Sequence, residues 1–558
     1  MNNLQKGIPI TVGIIGHLDA IITDEHQQLI ETLFEDLQRE YPNSPVSLFS
    51  QLAKGADTVI AELFLKLKER HNRNYHLFVP LPFQKEKFSS VFNHEEKAKF
   101  DSLISRSARS FILEQEENLS DNELYRSGGQ FVSDSSVILI AIWDNECNEK
   151  RGGTADIVKY KVEGTFEKDN VGNIFDIKGA LLSLSCNRIS DIKAKKITYP
   201  DTPLLVLIKQ NASIRKALEK IESLNFSYKS VGKSVLIASA NYLYPLEKPL
   251  NKISESLKEY YAIIDSQAIA SQRKSNSATK ILFIIGFLII SSFECYKHHL
   301  PGPEIFSNLS VLILTIILII SAYLIFQFSH RKKIHASFLE NRILAEALRI
   351  QFFWDLSHLR KSVSKYILRI HSAEFSWIRH IILALNGVTF DYGDNNQRRE
   401  EVKNFWLINQ YDYFRNKIDS AERMEKILLR LSGISFWIAA LLIFSLLFFE
   451  HSIEEHHLKD IVIVVIGIFF GLFALARGYV YKKGYEQTIN QYSLMKDIYF
   501  ATLQKIAEIE NDDSLPDPIK NEKINELYYL AGKEALIEHG NWFLVFKDRQ
   551  PEVEGIGG

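Results

Sequence analysis

Residues 309–328 read LSVLILTIILIISAYLIFQF, an unbroken apolar run of about twenty residues. A helix rises about 1.5 Å per residue and needs roughly 20 residues to cross a hydrocarbon core about 30 Å thick, so this run can span a membrane. Three shorter runs accompany it: 281–293 (ILFIIGFLIISSF), 434–449 (ISFWIAALLIFSLLFF) and 461–476 (IVIVVIGIFFGLFALA). Each reaches spanning length only with neighbouring Ser, Gly or Trp residues. Runs of this length are also compatible with buried core helices, but their arrangement as two hairpins, 281–328 and 434–476, favours membrane spans.

The charges flanking these runs agree on one topology. Arg273, Lys274 and Lys280 precede the first run, and Arg331, Lys332 and Lys333 follow the second. Lys426 and Arg430 precede the third, and Arg477, Lys482 and Lys483 follow the fourth, whereas the links CYKHHLPGPEIFSN and EHSIEEHHLKD carry little positive charge. The positive-inside rule then places both termini and the middle segment in the cytoplasm of a multi-pass protein of the inner (cell) membrane. No charge interrupts the four runs, and Glu294 marks the outer edge of the first, within reach of water.

Averages hide this organisation. A mean hydropathy of -0.07, a net charge of -2 and 24% charged residues over 558 residues describe an ordinary soluble chain, because long polar segments dilute the spans. The near-neutral balance gives no reason to invoke a nucleic-acid partner. Cys147, Cys186 and Cys295 lie far apart without metal-ligand spacing and read as free thiols in a reducing compartment, with no metal or resident cofactor implied. The N-terminal MNNLQKGIPI lacks an apolar signal-peptide core, so the first span is expected to direct membrane insertion.

Up to about residue 212 the pattern alternates strand and helix. Apolar runs at 10–15, 46–50, 75–80 and 137–143 read as strands, separated by helical spacing at 24–41, 56–70 and 85–108. Strands apolar throughout and divided by amphipathic helices imply a parallel sheet covered on both faces, a doubly wound, Rossmann-like α/β fold. Residues 202–209 (TPLLVLIK) read as one more strand, and 161–201 as an inserted segment that forms a hairpin over the crevice or contacts a neighbouring subunit.

Ligands of such sheets bind beyond the carboxyl ends of strands, where this chain places small and polar residues: Gly16 and His17, then Ser50, Gly55 and Asp57, then Pro80, then Asp144 followed by Arg151, Gly152, Gly153, Thr154 and Asp156. Gly152, Gly153 and Thr154 open a helix whose unpaired N–H groups and dipole suit a phosphate, and Arg151 adds charge. Each piece also has a plain structural reading. Gly-Gly-Thr is a common turn, a loop histidine is often only solvated, and Asp57 suits the start of a helix as a cap.

The ordered set GIIGHLDA (13–20), LAKGADTVIAE (52–62), VPLPFQKEKF (79–88), YRSGGQFVSDSSVILIAIWD (125–144) and RGGTADIV (151–158) resembles the SLOG superfamily over about residues 8–212. This is the Rossmann-like group that includes Lonely Guy phosphoribohydrolases, DNA-processing A proteins and the sensor region of melastatin-type TRP channels. The resemblance implies a pocket for a nucleotide or ADP-ribose-like ligand at Gly16, His17, Ser50, Gly55, Asp57 and the loop Arg151 to Thr154. Catalytic members carry Pro-Gly-Gly-x-Gly-Thr-x-x-Glu with an essential glutamate. Here Arg151 stands for the proline, the stretch is shorter and Asp156 is the only nearby acid, so binding is expected rather than turnover.

The remaining chain is helical in periodicity. It divides into a nucleotide-binding domain (1–212), a helical linker (213–276), a first transmembrane hairpin (277–330), cytosolic helices (331–430), a second hairpin (431–484) and a C-terminal helical tail (485–558), the membrane part being all-α with a cytosolic bundle. Trp354, Trp377, Trp406 and Trp542 read as packing anchors. The two hairpin-plus-helix units resemble the SLATT membrane modules of bacterial conflict systems. That resemblance implies a homo-oligomeric antiviral effector in which a nucleotide signal triggers a pore or depolarisation. A membrane-anchored nucleotide or phosphoribo-hydrolase and a ligand-gated ion channel are the alternatives.

Overall fold

The computed structural model describes residues 7–113, 119–146, 150–163, 180–191, 195–229, 231–248, 250, 252–297, 308–331, 334–359, 361–366, 372–389, 398–455 and 458–547. Two compact units emerge, each drawn from separated stretches of chain: Met1–Ile264 with Glu346–Arg398, and Asp265–Ala345 with Arg399–Gly558.

The first unit is built on a six-stranded, wholly parallel sheet. Its strands are β1 (Ile10–Gly16), β2 (Val46–Phe49), β3 (Tyr75–Leu81), β4 (Arg109–Ile112), β5 (Ile138–Trp143) and β6 (Ala180–Ser185), in the spatial order β4-β3-β2-β1-β5-β6. Register is set by apolar pairs such as Val12 with Ile138 and Leu48 with Leu77. The chain builds outward from β1 in one direction as far as β4, then returns to place β5 on the other side of β1. The connections at β1 and β5 therefore diverge, leaving a crevice beyond their carboxyl ends.

Helices α1 (Asp24–Glu40), α2 (Ala56–His71), α3 (Lys85–Ser89), α4 (His94–Arg106), α5 (Asp121–Asp134) and α6 (Thr154–Glu163) connect the strands. Capping boxes start three of them: Thr23 with His26, Asn93 with Glu96, and Ser120 with Glu123. A Cβ on Gly13 would strike Ser136 and Val132 at the end of α5, whereas one on Gly16 would strike Ala56 of α2. Positions three apart on a strand face opposite sides, so helices cover both faces of the sheet.

Residues 202–209 correct a sequence expectation. They contain α7 (Leu204–Lys209), a short helix after Pro203, and not a strand. A brief apolar run has no periodicity of its own, but the buried positions Leu204, Leu205 and Ile208 follow helical spacing. Within 161–201, the described part supplies edge strand β6, paired in parallel with β5, where a hairpin was one expectation. Residues 164–179 lie outside the described residues.

The unit continues with α8 (Ala212–Tyr228), α9 (Lys233–Leu243) and the first part of α10 (Lys252–Lys297). After α11 (Asn308–Arg331), the chain returns through the second half of α12 (Ile334–Leu356) and α13 (Ser372–Val388). Helix α13 packs on α8 and α5, with Gly387 seated against Ser135 and Phe49. Trp354 and Trp377 are fully buried here, as packing anchors.

The second unit is helical. A short α14 (Arg399–Val402) runs through a π-helical turn at Lys403–Ile408 into α15 (Asn409–Glu455), followed by α16 (Lys459–Lys483), α17 (Tyr485–Glu510) and α18 (Asp517–Lys547). Trp406 is buried beside Tyr499 and Tyr528, and Trp542 meets Phe338 edge-on at 5.7 Å. Four helices, α10, α11, α15 and α16, are long and apolar enough to cross a membrane. They leave Ile316, Ile320, Leu324, Trp437, Leu441 and Leu447 about half exposed or more. So large an uncovered apolar surface is stable only against lipid or another apolar surface. We therefore describe a membrane protein.

Candidate functional site

The crevice at the ends of β1 and β5 is shaped first by close backbone approach. A Cβ on Gly16 would lie 2.3 Å from the Ala56 Cβ, and one on Gly55 2.5 Å from the His17 carbonyl oxygen. Gly55 also holds φ at +88°, which side-chain-bearing residues rarely adopt. These two glycines let the start of α2 press against the end of β1.

His17 and Asp144 meet at the mouth of this crevice. His17 Nε2 lies 3.0 Å from Asp144 Oδ1, with both side chains almost fully buried. Arg188 reaches the other Asp144 oxygen at 3.3 Å and Asp19 at 3.0 Å, and Ser190 donates to Asp19 at 2.5 Å. Burial alone would raise the Asp144 carboxyl. The contact with His17, the Glu146 N–H and Arg188 outweigh it and hold Asp144 below the usual carboxylate range. Arg188 arrives because the loop after β6 runs antiparallel to the loop after β1, with Ala20 bridged to Arg188.

Ser50 and Asp57 sit one strand away. Asp57 is buried, and the loss of hydration pushes its carboxyl up to about 8 despite hydrogen bonds from Ser50 and from the Gln51 and Gly16 N–H groups. A neutral carboxyl at this position ties the ends of β1 and β2 together. It is the second residue of α2 and not its cap, because Gly55 occupies the cap position. Ser50 Oγ accepts from the Leu52 N–H at 3.0 Å, steadying a residue with φ of +55°. Pro80 lies within β3, in register with Phe111 of β4.

The glycine loop before α6 is largely tied to its own surroundings. Asp156 takes a two-pronged contact from Arg126, Nε to Oδ2 at 2.8 Å and Nη2 to Oδ1 at 3.0 Å, and also accepts the Gly152 N–H at 2.8 Å. Burial raises the Asp156 carboxyl, but Arg126 and the Gly152 N–H reverse this and keep it ionised below the usual range. Gly152 holds φ at +75°, and a Cβ there would stand 2.3 Å from the Asn122 carbonyl oxygen. The Gly153 N–H donates to Lys150 at 3.2 Å. The N–H groups this loop could offer an anion are therefore those of the first turn of α6, starting at Thr154. Arg151 is mostly exposed, 4.0 Å from Glu123.

Sequence reading did not single out Asp19, Arg126, Arg188 or Gln51. Gln51 packs against Gly128 in α5, where even a methyl group would collide with its amide. Gly129 takes Ile157 of α6 in the same way, so the Gly-Gly pair of 125–144 serves helix packing. A cavity of about 640 Å³ opens beside β6, away from the crevice, lined by Leu182, Leu184, Tyr199, Leu204, Leu207 and Ile208 among others. Among the described residues no cluster of His, Cys, Asp or Glu could hold a metal ion. Cys186 is buried and free, and Cys147 lies outside the described residues. No protein-family model matches the chain, and no curated protein is significantly similar to it.

Proposed function

We propose that the chain is a membrane effector whose doubly wound, Rossmann-like first unit binds a nucleotide-derived signal, of ADP-ribose type or a cyclic nucleotide. Binding triggers pore formation or depolarisation by the four apolar helices, in bacterial antiviral defence. The observation that carries the reading is a reversal of strand order, lined by Gly16, His17 and Asp144, in the same chain as four membrane-length helices. The SLOG-like order of motifs supports the ligand class, and the SLATT-like hairpins support the output. The first turn of α6 offers N–H donors to a phosphate, and the His17–Asp144 pair offers a buried polar contact to a ribose or base. The charge flanks support a topology with both termini in the cytoplasm, and self-association into a homo-oligomer completes the pore.

Binding is favoured over hydrolysis by the state of Asp156. A catalytic carboxylate must reach the scissile bond or its water, and here both oxygens are engaged by Arg126 and Gly152. A ligand acts on the membrane part only by preferring one conformation or assembly, since equal affinity shifts nothing.

The test is a membrane-potential dye in cells expressing the full chain, supplied with ADP-ribose and its cyclic derivatives. Ligand-dependent depolarisation that is lost in Gly153→Asp and His17→Ala is the expected result. Toxicity or depolarisation indifferent to both substitutions overturns the sensor role, and release of ribose 5-phosphate abolished by Asp156→Asn would favour the hydrolase.

A further inference from the structure

The seam between α10 and α16 ends in two like charges. The helices run antiparallel, with Ile290 seated on Gly471, Gly286 facing Leu475, and Phe283 edge-on to Tyr479 at 5.1 Å. Asn276, Lys280 and Phe283 share one face of α10, at i, i+4 and i+7, and Leu475, Tyr479 and Lys483 share one face of α16, at i, i+4 and i+8. One turn beyond the aromatic contact, Lys280 therefore stands across from Lys483. Lys483 Nζ donates to Asn276 Oδ1 at 2.7 Å, and the charge acting on it from α10 is that of Lys280.

No carboxylate offsets this pair. Helix α10 carries no Asp or Glu from Gln267 through Phe293, and the chain carries none from Ile461 through Tyr485. Among the described residues neither lysine forms an ion pair. Glu425 of α15 acts on Tyr485, and Glu486 lies in the first turn of α17, past the left-handed turn at Gly484. At the start of α12, His335 is itself acted on by Lys482 and Lys483, so that helix brings no counter-charge either. Asn276 occupies one hydrogen of the Lys483 ammonium and leaves its charge and two donors.

Apolar surface begins at the same point. Lys280 immediately precedes the first apolar run, and Ile281, Ile284 and Leu288, at i, i+3 and i+7, are about half exposed along one side of α10. This stripe rises roughly 10 Å away from the lysine pair. A free anion would answer the charge alone, whereas an amphiphile answers the charge and covers the stripe. A headgroup with an ammonium of its own would restore the repulsion.

We propose that Lys280 and Lys483 together bind the phosphodiester of an anionic glycerophospholipid, of phosphatidylglycerol type, whose acyl chain lies along Ile281, Ile284 and Leu288. The phosphate then bridges the charged ends of α10 and α16, in the manner of basic clefts between membrane helices. The site rests on the membrane character of the chain and is independent of the nucleotide and pore readings.

The test uses the full chain in detergent, offered equal amounts of phosphatidylglycerol and phosphatidylcholine, with retained lipid counted by native mass spectrometry. The unaltered chain retains phosphatidylglycerol several-fold in preference, Lys280→Gln with Lys483→Gln brings the two lipids near parity, and Lys280→Arg with Lys483→Arg keeps the preference. Lys426→Gln with Arg430→Gln, which removes as much charge from the flank on α15, leaves it intact. Thermal unfolding guards against a misfolded variant: phosphatidylglycerol raises the Tm of the unaltered chain, as a ligand of the folded state must, and no longer does so in the double Gln variant, which unfolds cooperatively on its own. Equal retention of both lipids by the unaltered chain, or a preference that survives the double Gln substitution, overturns the site. A preference lost equally in Lys426→Gln with Arg430→Gln reduces it to bulk charge and overturns it too. Displacement of the lipid by excess inorganic phosphate overturns the lipid assignment in favour of a free anion.

Discussion

Two carboxyls of the first unit, Asp57 buried and Asp156 half-buried, behave oppositely although both lie beside the crevice. Asp57 is raised from 3.8 to about 8 by burial, so the stability it contributes is complete below about pH 3.8 and is lost as pH rises through about 8. Asn keeps a carbonyl acceptor and does not titrate. The Tm of Asp57→Asn, measured on the full chain in detergent, is therefore expected to gain on that of the unaltered chain between pH 5 and pH 9 (about the span the shift covers); a difference flat with pH would show that Asp57 does not titrate there. Asp156 is held low, so its contribution is present above pH 3.8 and fades as pH falls through the depressed value. Asp156→Asn leaves the partly buried Arg126 without a charged partner and one carbonyl oxygen to serve both it and the Gly152 N–H, a loss of about 1–3 kcal/mol. It is expected to lower Tm and weaken nucleotide binding together, with binding read by calorimetry. Weakened binding at unchanged Tm would mean that Asp156 touches the ligand directly.

At the scale of elements, helix α2 reaches strand β1 at Gly16 through the methyl group of Ala56. Gly16→Ala is expected to cost about 1–3 kcal/mol by overpacking, and Ala56→Gly in the same chain to recover part of it, less the roughly 1 kcal/mol that glycine costs in a helix. Denaturant unfolding of the four combinations measures the coupling, and simple additivity would show that the two residues do not press on each other. What was legible in the sequence follows from position in the sheet. The four strands read correctly, at 10–15, 46–50, 75–80 and 137–143, are the interior ones, apolar throughout because both faces are covered. The edges read less well: β4 escaped notice and β6 was legible only as part of an inserted hairpin, because partly exposed sequences such as RSFI and ALLSLS lack a continuous apolar signal. The site divides likewise. Gly16, His17, Ser50 and Asp144 stand at strand ends and announce themselves, whereas Arg126 and Arg188 lie 30 and 44 residues from the carboxylates they hold, and nothing local marks them.

For the whole molecule, the controlling fact is that one chain carries two surfaces with incompatible solvents. The interior strands β1, β2, β3 and β5 bury their apolar residues almost completely, while the long helices leave Ile313, Leu314, Ile317, Phe444 and Phe448 about half exposed or more. In the proposed topology the positive flanks orient those helices. Moving the charges should therefore change topology without unfolding the sheet. A membrane-impermeant thiol reagent added to intact cells is expected to label Leu458→Cys, in the outer link, and to spare Tyr481→Cys, at the inner end of α16, with Cys295 replaced by Ser in both. Labelling of Tyr481→Cys and protection of Leu458→Cys would invert the topology and put the crevice of Gly16, His17 and Asp144 outside the cell, beyond any cytosolic nucleotide. Because the flanking charges of all four runs agree, replacing Arg477, Lys482 and Lys483 together by Gln is expected to raise Tyr481→Cys labelling in a fraction of molecules. The unfolding of the sheet in those cells, followed by protease resistance of the first unit, should remain unchanged.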